Sequence, residues 1–220
     1  IILLVINLTK FLFYKTHKYH YIIFMKSKII LLLVILVSFH SMVQADDISE
    51  FTIEEMSVGD SLLDHYNKKE IQSFKENSSY YRDKLFSVIF VDRNSDLYDR
   101  IQVTLKKDDK DIQIFSLEGI IDFDKNIDEC NKMRKKIIQD IKKMFSDYKR
   151  IDDDGIYQAD KSNNSFSYTT WFLFNSGGFI SVECTKMGNE VREANGWTDE
   201  LAISITSEEF ENFLRQDNPY

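Results

Sequence analysis

Asn126-Ile127-Asp128-Glu129-Cys130-Asn131-Lys132-Met133-Arg134-Lys135-Lys136-Ile137-Ile138-Gln139-Asp140-Ile141-Lys142-Lys143-Met144 decides how the rest of the chain is read. Apolar residues recur at Ile127, Cys130, Met133, Ile137, Ile141, Met144 and, beyond the quoted stretch, Tyr148. That three-or-four spacing is one stripe of an amphipathic helix. Asn126 and Glu129 stand at the spacing of a capping box, which opens a helix over residues 127–148.

The flanking segments have period two rather than 3.6. Residues 85–91 are rich in Val, Ile and Phe. Ile101, Val103 and Leu105 alternate with Gln102 and Thr104. Residues 112–120 return as a hairpin partner. After the helix, residues 165–174, 179–185 and 201–205 repeat the pattern, with Asn175-Ser176-Gly177-Gly178 as a turn. Residues 76–81 and 188–197 read as polar loops, and Asp152-Asp153-Asp154-Gly155 as an acidic turn. Capping spacings at Ser57/Asp60, Asn67/Glu70 and Thr206/Glu209 predict short helices near both ends. The expected fold is α+β: an antiparallel sheet of about six strands, one long amphipathic helix across a face, and short helices at both ends.

A secretion signal lies upstream. Met25-Lys26-Ser27-Lys28 gives a basic start, residues 29–39 an apolar core, and Val43-Gln44-Ala45 a small-residue cut site before Asp46. Residues 1–24 precede the first Met and read as a non-native upstream extension. The expected divisions are 1–24, the signal at 25–45 and a single exported α+β domain at 46–220. Cleavage between Ala45 and Asp46 leaves no stable membrane anchor and places the chain in a periplasm or outside the cell.

That compartment bears on the only two cysteines, Cys130 and Cys184. Cys130 sits on the helix stripe. Cys184 shares a strand face with Ile180 and Val182. An even count in an exported chain argues for one disulfide, although two buried free thiols would satisfy the same pattern.

All 36 acidic residues fall after residue 45, against 23 of the 28 basic ones, a net charge of −13 for that part. Such a balance repels nucleic acid and anionic membrane. The expected partner is an envelope protein or a small ligand, with no nucleic acid.

No residue pattern assigns catalysis, a cofactor or a metal. His65 is the only histidine after residue 45 and has no nucleophile near it in sequence. Aligning Gly155 with the EF-hand glycine puts Arg150 and Lys161 at ligand positions, which neither can fill. With so many acids, some pair always looks suited to acid–base work. Trp171, Phe172 and Phe174 on one strand, with Tyr80, Tyr81, Phe86 and Phe90, could line a pocket for an apolar ligand, but core packing explains them too. Trp197, in a polar segment, is the aromatic placed for an exposed contact, with Trp171 as a second candidate.

The stretch Phe51-Thr52-Ile53-Glu54-Glu55-Met56-Ser57-Val58-Gly59-Asp60-Ser61-Leu62-Leu63-Asp64 resembles a segment of uncharacterised exported proteins of marine alphaproteobacteria, roughly Ile-Glu-Gly-Met-Ser-Ile-Gly-Asp-Ser-Leu-Leu. Glu55 stands where that segment has glycine. The stretch from Tyr98 to Met144 is similar as well. The resemblance implies export and no assigned activity. Two functions remain open: a non-catalytic binding or interaction protein, and a small hydrolase or apolar-ligand carrier with an aromatic-lined cleft.

Overall fold

The sheet has eight strands rather than six, in the order β1-β2-β3-β4-β8-β7-β6-β5, with every neighbouring pair antiparallel. The strands are β1 (Ser79–Tyr80), β2 (Phe86–Val91), β3 (Arg100–Lys106), β4 (Ile114–Asp122), β5 (Tyr148–Ile156), β6 (Phe166–Phe174), β7 (Phe179–Lys186) and β8 (Glu200–Thr206). Among the described residues four α-helices accompany them: α1 (Lys68–Lys75), α2 (Ile127–Met144), α3 (Asn189–Asn195) and α4 (Glu208–Asp217). This computed structural model describes residues 47–81, 84–92 and 95–217. The signal segment, its cut at Ala45 and Asp46, and the upstream extension lie outside the described residues. Among the described residues no helix is long and apolar enough to cross a membrane.

Two departures from the expected strand count have physical causes. β1 is only two residues long, too short for any alternation to show. β5 contains Asp152, Asp153 and Asp154, which read as a turn but form an exposed edge strand paired along β6. Charge on an edge deters further strand addition, so acidity there is compatible with pairing on one side only. The helix α2 ends at Met144, because Phe145 turns to extended backbone and the chain enters β5. The segment expected as a polar loop at 188–197 contains α3.

One face of the sheet is sealed. Strand alternation aims Ile89, Val103, Leu117, Ile203, Val182 and Phe172 to the same side, all of them buried. α2 lies over β7 and β8, and the segment around Ile53, Met56, Leu62 and Ile71 joins the same core. Gly119 in β4 leaves room for the Tyr98 ring, since a Cβ there would stand 2.4 Å from that ring. The resembling segment makes its tight turn without glycine. Ile53 and Met56 exchange backbone hydrogen bonds of 2.9 and 3.1 Å, with Glu54 and Glu55 both at positive φ.

The buried stripe of α2 is rotated from the expected one. Cys130, Arg134, Ile138 and Ile141 are buried, Met133 and Ile137 flank them, and Met144 is exposed. Arg134, only 8% exposed, donates to Thr170 Oγ1 at 2.8 Å and to the Val182 carbonyl at 3.4 Å. Asp154 stands 3.9 Å from its guanidinium. The cation is buried because backbone and hydroxyl acceptors meet it there.

Cys130 and Cys184 face each other between α2 and β7, with sulfurs at bonding distance and Cα atoms 6.0 Å apart. The bond closes a loop with a sequence separation of 54. A Cys130→Ala/Cys184→Ala double variant is expected to lose about 4 kcal/mol on the chain-entropy relation. Chemical-denaturation midpoints of the double variant and the oxidised protein check this.

Candidate functional site

The opposite face of the same sheet is polar. The register sets Gln102 and Thr104 on β3, Ser116 and Glu118 on β4, Glu200, Ala202 and Ser204 on β8, and Ser181 and Glu183 on β7 to one side. On an open sheet this would be the solvent face. Here it is only partly open, because α4 covers one corner.

A β-bulge sets that corner. Thr104 pairs with Ser116 and Leu105 with Ile114, so Phe115 is an extra residue on β4. An unpaired residue bends its strand and re-aims its side chain. Phe115 joins Phe86, Phe210 and Phe213 in a second small core. The Phe86 and Phe115 rings meet edge to face at 5.4 Å, and Phe86 lies 4.9 Å from both α4 phenylalanines. Tyr81 adds edge contacts at 5.2 and 5.7 Å. An ion pair between Lys106 on β3 and Glu209 holds the helix from its outer side.

What α4 leaves uncovered is a cleft in two connected parts. The inner part, of about 270 Å³, has the polar strand residues as its floor and Tyr81, Tyr157 and Trp171 at its sides. The outer part, of about 570 Å³, is walled by Ile151, Leu173 and Leu214, with Asp152, Asp153, Glu211 and Arg215 also on its lining. Tyr81, Trp171, Phe179 and Leu214 border both. Trp171 therefore lies in a cleft wall, 4.9 Å edge-on from Phe179, while its neighbours Phe172 and Phe174 point into the sealed core. Trp197 is 39% exposed, away from these walls.

Three carboxylates face the inner part, each held by partners in the sheet. Glu118 accepts from Ser204 at 2.9 Å. Glu183 accepts from Thr169 at 2.6 Å and Thr185 at 3.0 Å, one on each oxygen. Glu200 pairs with Arg100 at 2.7 Å, and the same guanidinium nitrogen reaches Asp122 at 2.6 Å. Burial raises the Glu118 carboxyl to about 7. The Ser204 hydrogen bond opposes the shift, the charges of Glu200 and Glu183 add to it, and Arg100 draws it down. Burial also raises Glu200 against the pull of Arg100. Tyr157 is pushed up to about 12 by burial and by the charges of Glu183, Glu200 and Glu118. Tyr81 rises through burial and Glu118.

The other candidates fall elsewhere. His65 closes the 3-10 turn Leu62–Asp64, with Nε2 3.6 Å from Asp60. Of the expected Ser57/Asp60 box only one half forms: Asp60 accepts from the Ser57 amide at 2.8 Å, while Ser57 Oγ donates to the Phe51 carbonyl and Ser61 caps the turn. Asp152 and Asp154 point to the α2 side of the sheet and Asp153 to the cleft side, so strand alternation separates them. Among the described residues no three acidic, histidine or cysteine groups stand close enough to hold a common metal ion.

Sequence reasoning missed Glu118, Glu183, Glu200, Tyr157 and Ser181, while Tyr81 and Trp171 came from the aromatic set it named as a possible pocket lining. The available signal was the polar alternation on β4, β7 and β8, which also describes any solvated sheet face. No known protein family, no characterised protein and no solved structure matches this chain.

Glu118 gives a direct test of the cleft's electrostatics. Its folded value lies above the ordinary carboxylate value, so the folded state holds this proton more tightly than the unfolded chain. Stability linked to that proton is full at low pH and is lost as pH rises from about 4.5 through 7. Glu118→Gln keeps an acceptor for Ser204 without the charge. It is expected to stabilise the fold by ~3 kcal/mol at about pH 8 and by roughly nothing at about pH 4. Denaturant unfolding of both proteins across that range measures the difference.

Proposed function

We propose that this chain is an exported, non-catalytic binding protein that takes a small ligand into the cleft between α4 and the polar sheet face. The single observation that carries the reading is a concave site with converging polar groups on its floor and apolar walls at its mouth. Small-molecule sites combine those two features, apolar area for affinity and a few placed polar groups for orientation.

The disulfide supports an oxidising compartment, consistent with the basic-apolar-small pattern of residues 25–45. Binding is favoured over hydrolysis by the donor chemistry. Among the described residues no imidazole lines the cleft to complete a nucleophile–base–orienter relay, and Glu118 is held within the sheet by the Ser204 hydroxyl. A carboxylate in that state serves better as a hydrogen-bonding and electrostatic contact.

Nile red, a neutral dye whose emission rises on leaving water, is the probe for this reading. It is expected to bind with quenching of Trp171 in a Trp197→Phe background. Ala202→Trp fills the floor and should weaken the dye at least about tenfold, a loss of ~1.4 kcal/mol, with unchanged circular dichroism. Equal dye binding by the filled variant, or no binding by the parent, overturns the cleft as a ligand site.

A further inference from the structure

We propose that the cleft is built for an organic cation, a primary or quaternary ammonium head placed over the polar floor with its apolar tail in the outer chamber. This rests on the reading of the cleft as a ligand site and adds the chemical class of the ligand.

Charge is the first argument. Glu118, Glu183 and Glu200 border the inner chamber, and among the described residues no Lys, Arg or His does. Arg100 is shared between Glu200 and Asp122, and Arg215, on the outer chamber's wall, is paired with Glu211, so neither neutralises the set. An anion entering here would meet uncompensated carboxylates in a partly desolvated space, where repulsion is strong.

The walls are the second. Tyr81, Tyr157 and Trp171 present aromatic rings around that space. Ring faces carry negative electrostatic potential and attract ammonium groups, most strongly where water is excluded. Carboxylates and rings together make a negative lining that is diffuse rather than pointed.

The third is a hydroxyl with nothing to bond. Ser181 is 7% exposed, lies in the floor by strand register, and its side chain has no hydrogen-bond partner among the described residues. The hydroxyls around it differ: Ser204, opposite it on β8, donates to Glu118, and Thr169 on β6 donates to Glu183. A hydroxyl that opens into the cleft without a partner in the fold is available to a group entering from outside. The Ser181 oxygen can accept from an ammonium N–H or contact the polarised methyl groups of a quaternary head.

Size separates this ligand from a metal ion. Glu118 lies on β4 and Glu183 on β7, with β8 and its Glu200 between them. Ladder spacing holds these positions too far apart for one small ion, and among the described residues no three acidic, histidine or cysteine groups stand close enough to share one. An ammonium head with its substituents spans such a set, and the chamber lined by Ile151, Leu173 and Leu214 receives the chain attached to it.

Three molecules sharing one tail test this: hexyltrimethylammonium, hexanol and hexanoate, by titration calorimetry on the oxidised protein. The cation is expected to bind at least about tenfold more tightly than the alcohol, and hexanoate most weakly. At about pH 8.5, where Glu118 is ionised, Glu118→Gln and Glu183→Gln should each weaken the cation by about fivefold to tenfold while leaving hexanol unchanged, with Nile red binding retained as the folding control. Hexanoate binding as tightly as the cation, glutamine variants that leave the cation's affinity unaltered, or calcium alone displacing it through the same glutamates overturns the inference. If Nile red binds and none of the hexyl series follows the charge order, the cleft stands and the cation fails. If Nile red does not bind either, both fall.

Discussion

The pairing of β4 with β8 is the constraint on which everything else rests. Ser116 through Asp122 run antiparallel to Thr206 through Glu200 and join two four-strand meanders into one sheet. Each strand follows its neighbour within a meander, so those pairings are local. The β4–β8 ladder is not: it brings together segments separated by α2 and three further strands. It also places Glu118 opposite Ser204 and Gly119 opposite Ile203, setting one residue of each adjacent pair toward the cleft and the other toward the core. A slip of one residue would exchange the two faces.

From that ladder the two sides of the sheet diverge. One is covered by α2 and the N-terminal segment and filled with aliphatic side chains. The other is covered only at a corner, because α4 is short and its anchoring phenylalanines meet the bulged Phe115 and Phe86 there. A longer apolar helix would have sealed the second face as well. The cleft exists because four aromatic side chains hold a small helix at one end and leave polar strand positions uncovered beyond it.

The sealed side is tied across its layers by two different means. The Cys130–Cys184 bond restricts the unfolded chain. Arg134 gives direction instead, since a planar guanidinium satisfied by Thr170 and a backbone carbonyl fits one rotation of α2 and no other. That demand explains why the buried stripe runs through Arg134 and Ile138 rather than through Met133 and Ile137, as apolar spacing alone suggests. Fixing α2 also fixes β7 and β8 beneath it, whose reverse sides carry Glu183 and Glu200.

By itself the sequence determined the α+β class, the long helix, six of the strands and the facing of the two cysteines. Those features follow from local periodicity and from chemistry that only two residues could perform. Only the tertiary structure decided that Asp152 to Asp154 form an edge strand, that Trp171 stands in a wall rather than a core, and that three glutamates among 36 acids meet over one floor. The reason is that alternation tells which side of a strand a residue faces. Whether that side is bare, sealed or half-roofed depends on where a distant helix comes to rest.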